Sequence, residues 1–305
     1  MVTVRVPAST TNLGPGFDAL GLALALYNEI SLIPTNADRV TVEVAGEGPA
    51  DPSFPRDEHN LVYRAAERVY AACGETAPAM RIVLWNQVPL ARGLGSSSTA
   101  IIGGLFGANL LLGEPLDAEA LLRIAVEMEG HPDNVTPALL GGLQVTSHAE
   151  GRLTHLRLPT PAGLRIVVCI PEVAISTTDA RRALPERVPH ADAVFNVGRV
   201  ALLLAALTQD RLELLGAAME DRLHQPYRAR LLPGFEAALI AARDAGAAGA
   251  CLSGSGSTLL ALATERTEEI GAAMTDALAA AGVAARALTL GVDDRGAIPL
   301  PDERE

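Results

Sequence analysis

At 305 residues, 49% of them hydrophobic, the chain can fill two domains with substantial cores. A net charge of −12 and only 3% aromatic residues leave neither a basic stripe nor stacking rings, which argues against a nucleic-acid partner. Lysine is absent throughout, so Schiff-base chemistry and both the Walker-A and protein-kinase lysines are excluded, and arginine cannot replace that amine as a nucleophile.

The N-terminal half mixes strands and helices. VTVRVPA (2–8), NEISLIP (28–34), VTVEVAG (40–46) and MRIVLWNQV (80–88) alternate or are rich in β-branched residues, which predicts strands. NLVYRAAERVYAAC (60–73) has helical spacing and stops at Gly74. Helices are predicted over 97–112 and 117–129, the second capped by Asp117. In the C-terminal half, GLRIVVCIP (163–171) is a strand and helices occupy much of 190–245. GACLSG (249–254) and STLLALA (257–263) are strands, 265–282 is a helix, and VAARALTLG (283–291) is a last strand. This β-α-β-β-α-β order is the ferredoxin-like, split βαβ pattern. A boundary is expected near 155–162, dividing the chain into 1–160 and 161–305, with a mobile end to the tail. No apolar run reaches the roughly 18 residues of a membrane span. The N-terminus has no apolar leader core. Three isolated cysteines (Cys73, Cys169, Cys251) fit a reducing, cytoplasmic setting better than a disulfide framework.

Between the strand at 80–88 and the helix at 97–112 runs PLARGLGSSSTA (89–100). A glycine-rich turn that opens a helix offers backbone N–H groups and a dipole to an anion. The same residues could be a tight turn with a serine cap. As a dinucleotide fingerprint the loop fails, because Ser98 stands at the third glycine position.

Three further stretches, VPASTTNLGPGFDALGLAL (6–24), EGHPDNVTPALLGG (129–142) and SGSGSTLLAL (253–262), complete a set that resembles the GHMP small-molecule kinases over residues 3–290. Within them it is most similar to the homoserine kinase branch. The resemblance implies an α+β protein with a ribosomal-S5-like N-terminal domain and a ferredoxin-like C-terminal domain. The implied reaction is ATP-dependent phosphorylation of the L-homoserine hydroxyl, in threonine biosynthesis, by a homodimer that uses Mg²⁺ and engages no nucleic acid or membrane.

Residue by residue, the resemblance puts ATP on Pro89, Leu90, Ala91, Arg92, Gly93, Leu94, Gly95, Ser96, Ser97 and Ser98, with Asn60 toward the adenine. Mg²⁺ falls to Glu129, with Ser97 beside it. Glu127 competes for that role, and two residues at i and i+2 on a helix do not share a face. A zwitterionic acceptor needs an anion for its ammonium and a cation for its carboxylate. By the resemblance Asp18, with the amide of Asn12 beside it, meets the first need and Arg181 and Arg228 the second, since a guanidinium fork suits a carboxylate, while His131 is a polar group lining the acceptor and phosphate side. Asn134, Thr177 and Arg181 are expected at the transferring phosphoryl group. Asn134 stands where other branches carry an aspartate, so no strong general base is expected. Gly95 is read as leaving room for the anion.

Overall fold

The computed structural model describes residues 1–48 and 54–301. Val2–Asn12 (β1) and Gly16–Pro34 (β2) run antiparallel, and alternation buries Val4, Val6 and Ala8. β2 is 19 residues long, whereas only its second half reads as a strand from sequence. Its first half is rich in Gly and Ala, which have little strand preference of their own. Pairing decides it: β1 lies along one side, and on the other Leu20–Leu22 meets a later strand.

Thr41–Gly46 (β3) and Met80–Asn86 (β4) pair in parallel around the helix Leu61–Ala72 (α1). Three more helices follow: Ser96–Leu111 (α2), Ala118–Glu129 (α3) and Pro132–Leu140 (α4). Asp117 caps α3 as expected, its Oδ1 accepting the Ala120 N–H at 2.8 Å. The helices cover one face of the sheet around Val4, Ile30, Leu32, Ile82 and Leu84. Gly21 lets α4 settle on β2, because a Cβ there would stand 1.8 Å from the Asp133 carbonyl oxygen. A hairpin of Leu143–Ala149 (β5) and Arg152–Leu158 (β6), not predicted from sequence, joins β2.

The chain then changes sheet, between Leu158 and Arg165. Arg165–Pro171 (β7) leads into Thr177–Arg182 (α5), His190–Thr208 (α6), Leu215–Ala218 (α7), Gln225–Arg228 (α8) and Phe235–Asp244 (α9). Gly249–Leu252 (β8), Leu259–Ala263 (β9), Thr267–Ala280 (α10) and Ala285–Leu290 (β10) complete it. The strand order β10-β7-β9-β8, antiparallel throughout, is the ferredoxin-like arrangement read from the sequence. Alternation splits β7 between two cores. Val167 and Cys169 face α9 and α10, while Ile166, Val168 and Ile170 join Leu20 and Leu22 of the first sheet and Leu94 of the loop before α2. That shared core ties the two halves together.

The C-terminal portion does not stay with its own sheet. Ile298–Leu300 (β11) returns to pair with Thr3–Arg5 of β1, so residues 161–305 are not one unit by strand pairing. The tail's extreme end, 302–305, lies outside the described residues. α6 is long and apolar enough, by length and composition, to cross a membrane, although the sequence shows no unbroken apolar run there. Asp192, Asn196 and Arg199 interrupt it. Asn196 is buried and donates to Asp221 Oδ1, and Leu203, Ala206 and Leu207 enter the shared core.

Candidate active site

One cleft of about 450 Å³ lies where the β1–β2 turn, the start of α2, α4, α5 and α8 converge. Its walls include Asn12, Asp18, Asn60, Leu90, Ala91, Arg92, Gly93, Gly95, Ser96, Ser97, Glu129, His131, Asn134, Thr177, Arg181 and Arg228. Pro89, Leu94 and Ser98, also expected at ATP, do not line it. Leu94 is fully buried in the shared core, and Ser98 is buried beneath the loop.

The loop at 89–98 turns through left-handed residues to start α2, with Gly95 at φ +71° as the residue before the helix. The N–H groups of that first turn have no helical carbonyl to bond. Packing adds a second requirement for glycine at 95. A Cβ there would lie 2.1 Å from Ser9 Oγ and 3.2 Å from Asn134 Oδ1. It is the approach of β1, not only of an anion, that requires glycine. Arg92, expected at ATP, lines the cleft, and its guanidinium donates to backbone carbonyls: Nε to Pro171 at 2.9 Å and Nη2 to Glu172 at 2.6 Å. It tethers the loop to the end of β7.

Glu129, the last residue of α3, faces this helix start. Ser97 Oγ and Ser98 Oγ both donate to its Oε1, at 2.7 and 2.9 Å. Glu127 points elsewhere and pairs with Arg68 on the surface at 2.5 Å. The two carboxylates therefore separate as their i, i+2 spacing requires. A carboxylate with hydroxyls beside a helix N-terminus is a set of hard oxygen donors suited to Mg²⁺.

Gly130 ends α3 in the left-handed conformation, so the chain turns at once into α4. His131 Nδ1 lies 2.7 Å from Asp133 Oδ1. Burial alone would lower the His131 pKa, but the hydrogen bond and charge of Asp133, with Glu129 nearby, outweigh it and raise the value. Asn134 Oδ1 accepts from Ser9 Oγ at 2.8 Å.

The β1–β2 turn supplies the opposite wall. Asn12 Oδ1 accepts the Asp18 N–H at 3.0 Å, and its Nδ2 donates to the Gly254 carbonyl at 3.0 Å. Asn12 thus shapes the turn that presents Asp18. Arg181, on α5, closes a two-pronged ion pair on Asp18. Arg228, on α8, is buried and donates to the carbonyls of Gly254 and Ala180. Burial first, then the charge of Arg181, lowers its pKa to about 10, against the pull of Asp18, Asp221 and Asp133. At neutral pH it remains a cation. Both guanidiniums lie over the Phe17 ring, Arg181 Cζ 5.7 Å and Arg228 Cζ 5.2 Å from its centroid.

Phe54, Leu61, Leu84 and Leu90 add apolar wall to the same cleft, alongside His59, Asn60 and Asn86. Asn60 lines it, but as the α1 cap: its Oδ1 accepts the Val62 N–H and its Nδ2 donates to the Pro55 carbonyl. Sequence reasoning missed Asp133, inside the EGHPDN motif, and Gly254 and Ser255, inside a motif that was recognised but given no site role.

The start of α2, with the Ser97 and Ser98 hydroxyls on Glu129, thus opens into the same cleft as the charges of Asp18, Arg181 and Arg228. Residues 60–142 match the GHMP kinases N terminal domain and residues 203–280 the GHMP kinases C terminal domain. The homoserine kinase of Carboxydothermus hydrogenoformans is 47% identical over 98% of this chain and 97% of its own. That of Moorella thermoacetica is 44% identical over 98% and 100%. The crystal structure of homoserine kinase from Cytophaga hutchinsonii superposes with a TM-score of 0.89 at 32% identity, covering 98% of this chain and 97% of that one. The chain belongs to the homoserine kinases, a branch of the GHMP kinases.

Proposed function

We propose that this chain transfers the γ-phosphoryl group of ATP to the side-chain hydroxyl of L-homoserine, giving ADP and O-phospho-L-homoserine in threonine biosynthesis. The observation that carries the reading is the charge layout of one cleft: Asp18, Arg181 and Arg228 around Phe17, with the first turn of α2 in the same cavity. The ammonium goes to Asp18 and the carboxylate to Arg181 and Arg228. The base lies against the apolar wall and the phosphates along the start of α2. Glu129, with Ser97, would hold Mg²⁺, which when bound neutralises phosphate charge.

Asn134, Thr177 and Arg181 position and neutralise the transferring group. The hydroxyl oxygen forms a bond to the γ-phosphorus as the bond to the β-bridging oxygen breaks. No carboxylate stands in for a base at Asn134, so the hydroxyl proton leaves late, to the transferred phosphoryl oxygens, in a loose transition state. Assembly as a homodimer and a cytoplasmic setting belong to the same reading and rest on the family resemblance. The test is ADP release with ATP, Mg²⁺ and L-homoserine, against mevalonate and simple sugars as rival acceptors. Turnover with homoserine alone is the expected result. Turnover with a rival but not with homoserine overturns the reading.

A further inference from the structure

Behind Arg228 lies a fully buried histidine that the reaction as described does not use. His224 Nε2 is 2.7 Å from the Gly14 carbonyl oxygen, and its Nδ1 is 3.3 Å from Arg228 Nη1. A carbonyl only accepts and a guanidinium only donates. The two partners therefore fix one tautomer: Nε2 carries the proton and Nδ1 accepts from Arg228. Its ring stacks on Phe17, centroids 5.2 Å apart. The backbone is held as firmly, since buried Asp221 takes the N–H groups of Leu223, His224 and Gln225.

This places His224 between two parts of the acceptor pocket. Gly14 belongs to the turn that carries Asn12 and Asp18, and Arg228 is the buried cation. The Gly254 carbonyl closes the circuit, accepting from both Asn12 Nδ2 and Arg228 Nη1 at 3.0 Å. Arg228 Nε goes to the Ala180 carbonyl, and among the described residues Nη2 has no hydrogen-bond partner. Nη2 is the donor left over for a ligand.

We infer that His224 is a positioning residue for the acceptor carboxylate. As an uncharged acceptor it holds the inner edge of the Arg228 guanidinium, and it ties that cation to the turn presenting Asp18. A cation at the same place would repel Arg228, and an apolar residue would let it rotate. Burial, together with the neighbouring Arg228 charge, lowers the histidine's pKa despite Asp221, which agrees with a neutral ring. The inference rests on the assignment of Arg228 to the carboxylate.

Asparagine and glutamine separate the two bonds. In His224→Asn the side-chain oxygen replaces Nδ1 as acceptor for Arg228, while in His224→Gln the amide nitrogen replaces Nε2 as donor to Gly14. Steady-state kinetics of the full chain should show His224→Gln raising the homoserine KM about tenfold or more, with kcat and the ATP KM changed by less than about threefold. His224→Asn should recover most of that loss. Equal losses in both variants, or a loss shared between kcat and the ATP KM, overturn the inference. Arg228→Ala is the control. If it weakens ATP and spares homoserine, the carboxylate assignment itself fails. If it weakens homoserine while His224→Gln does not, only the role of His224 fails. Should the variants not fold, ¹⁵N NMR of the parent decides. An unprotonated Nδ1 whose signal moves on saturation with homoserine supports the inference, and a protonated or unresponsive Nδ1 overturns it.

Discussion

Arg181 grips both oxygens of Asp18, with Nη2 at 3.0 Å from Oδ1 and Nη1 at 3.1 Å from Oδ2. These are the two groups assigned to opposite charges of the same substrate. A zwitterion entering the pocket must exchange this one pair for two, ammonium to Asp18 and carboxylate to guanidinium. On that assignment the protein's own cation holds the ammonium's place until then, so a neutral alcohol would gain nothing by entering.

The two arginines should differ in weight. Arg181 is 40% exposed and its pair with Asp18 is screened by water, whereas Arg228 is 4% exposed. Arg181→Ala is expected to lower kcat/KM for homoserine by about 10- to 100-fold, from one charge-assisted contact at a wet site. Arg228→Ala should lose more, roughly 30-fold to several thousand-fold, as for a desolvated charge pair. Both should leave the ATP KM nearly unchanged. A larger loss at Arg181 than at Arg228 would reverse the ranking by burial.

Glu129 and Glu127 make a paired test of the metal assignment. Glu129→Gln should reduce the Mg²⁺-dependent rate on the order of 100-fold and raise the Mg²⁺ concentration needed for half-activity. Glu127→Gln breaks only a surface pair with Arg68 and should change the rate by less than about twofold. A Mg²⁺ titration of both variants checks this, and the opposite order would move the ligand.

Local patterns in the sequence account for much of this molecule. The strand–helix order of the C-terminal sheet, the cap at Asp117 and the loop that opens α2 all depend on neighbours within a few residues. What could not be read depends on distance. The resemblance named Asp18 and Arg181, but their direct ion pair joins positions 163 apart, and the first half of β2 is made a strand by β1 on one side and by a later strand at Leu20–Leu22 on the other. The packing requirement for glycine at 95 comes from Ser9, on a different strand. His224 carried no signal alone, although Asp221 three residues earlier, with Pro226 following, has the form of a helix start.

His131 and His224 should give opposite pH signatures. The folded state raises the pKa of His131 above 6.5, burial being outweighed by Asp133 and Glu129. Its contribution to stability is therefore complete below pH 6.5 and is lost as pH rises through the raised value. Burial depresses the pKa of His224 below 6.5, so its contribution is complete above pH 6.5 and is lost as pH falls toward the depressed value. NMR titration of the two rings checks both directions. Asp133→Asn should bring the His131 midpoint below 6.5, since burial then acts with less opposition. A His131 midpoint unmoved by Asp133→Asn would show that the pair does not set the titration.

Arg92 separates nucleotide binding from assembly of the loop. In the sequence it is the one basic residue beside GLGSSS, and the resemblance puts it at ATP. Folded, its guanidinium spans carbonyls of two segments: Leu90 in its own loop, and Pro171 and Glu172 at the end of β7. Burial lowers its pKa more than Glu47 and Glu172 raise it, as for a cation held against backbone rather than against a carboxylate. Arg92→Ala leaves those carbonyls without their donor and should cost about 1–3 kcal/mol of stability, read by urea denaturation. The ATP KM should rise less than about threefold, because the first-turn N–H groups of α2 remain in place. Arg92→Lys should not restore stability, since a single ammonium cannot bridge carbonyls that a planar fork spans. A large rise in the ATP KM with unchanged denaturation would make Arg92 a nucleotide contact rather than a brace for the loop.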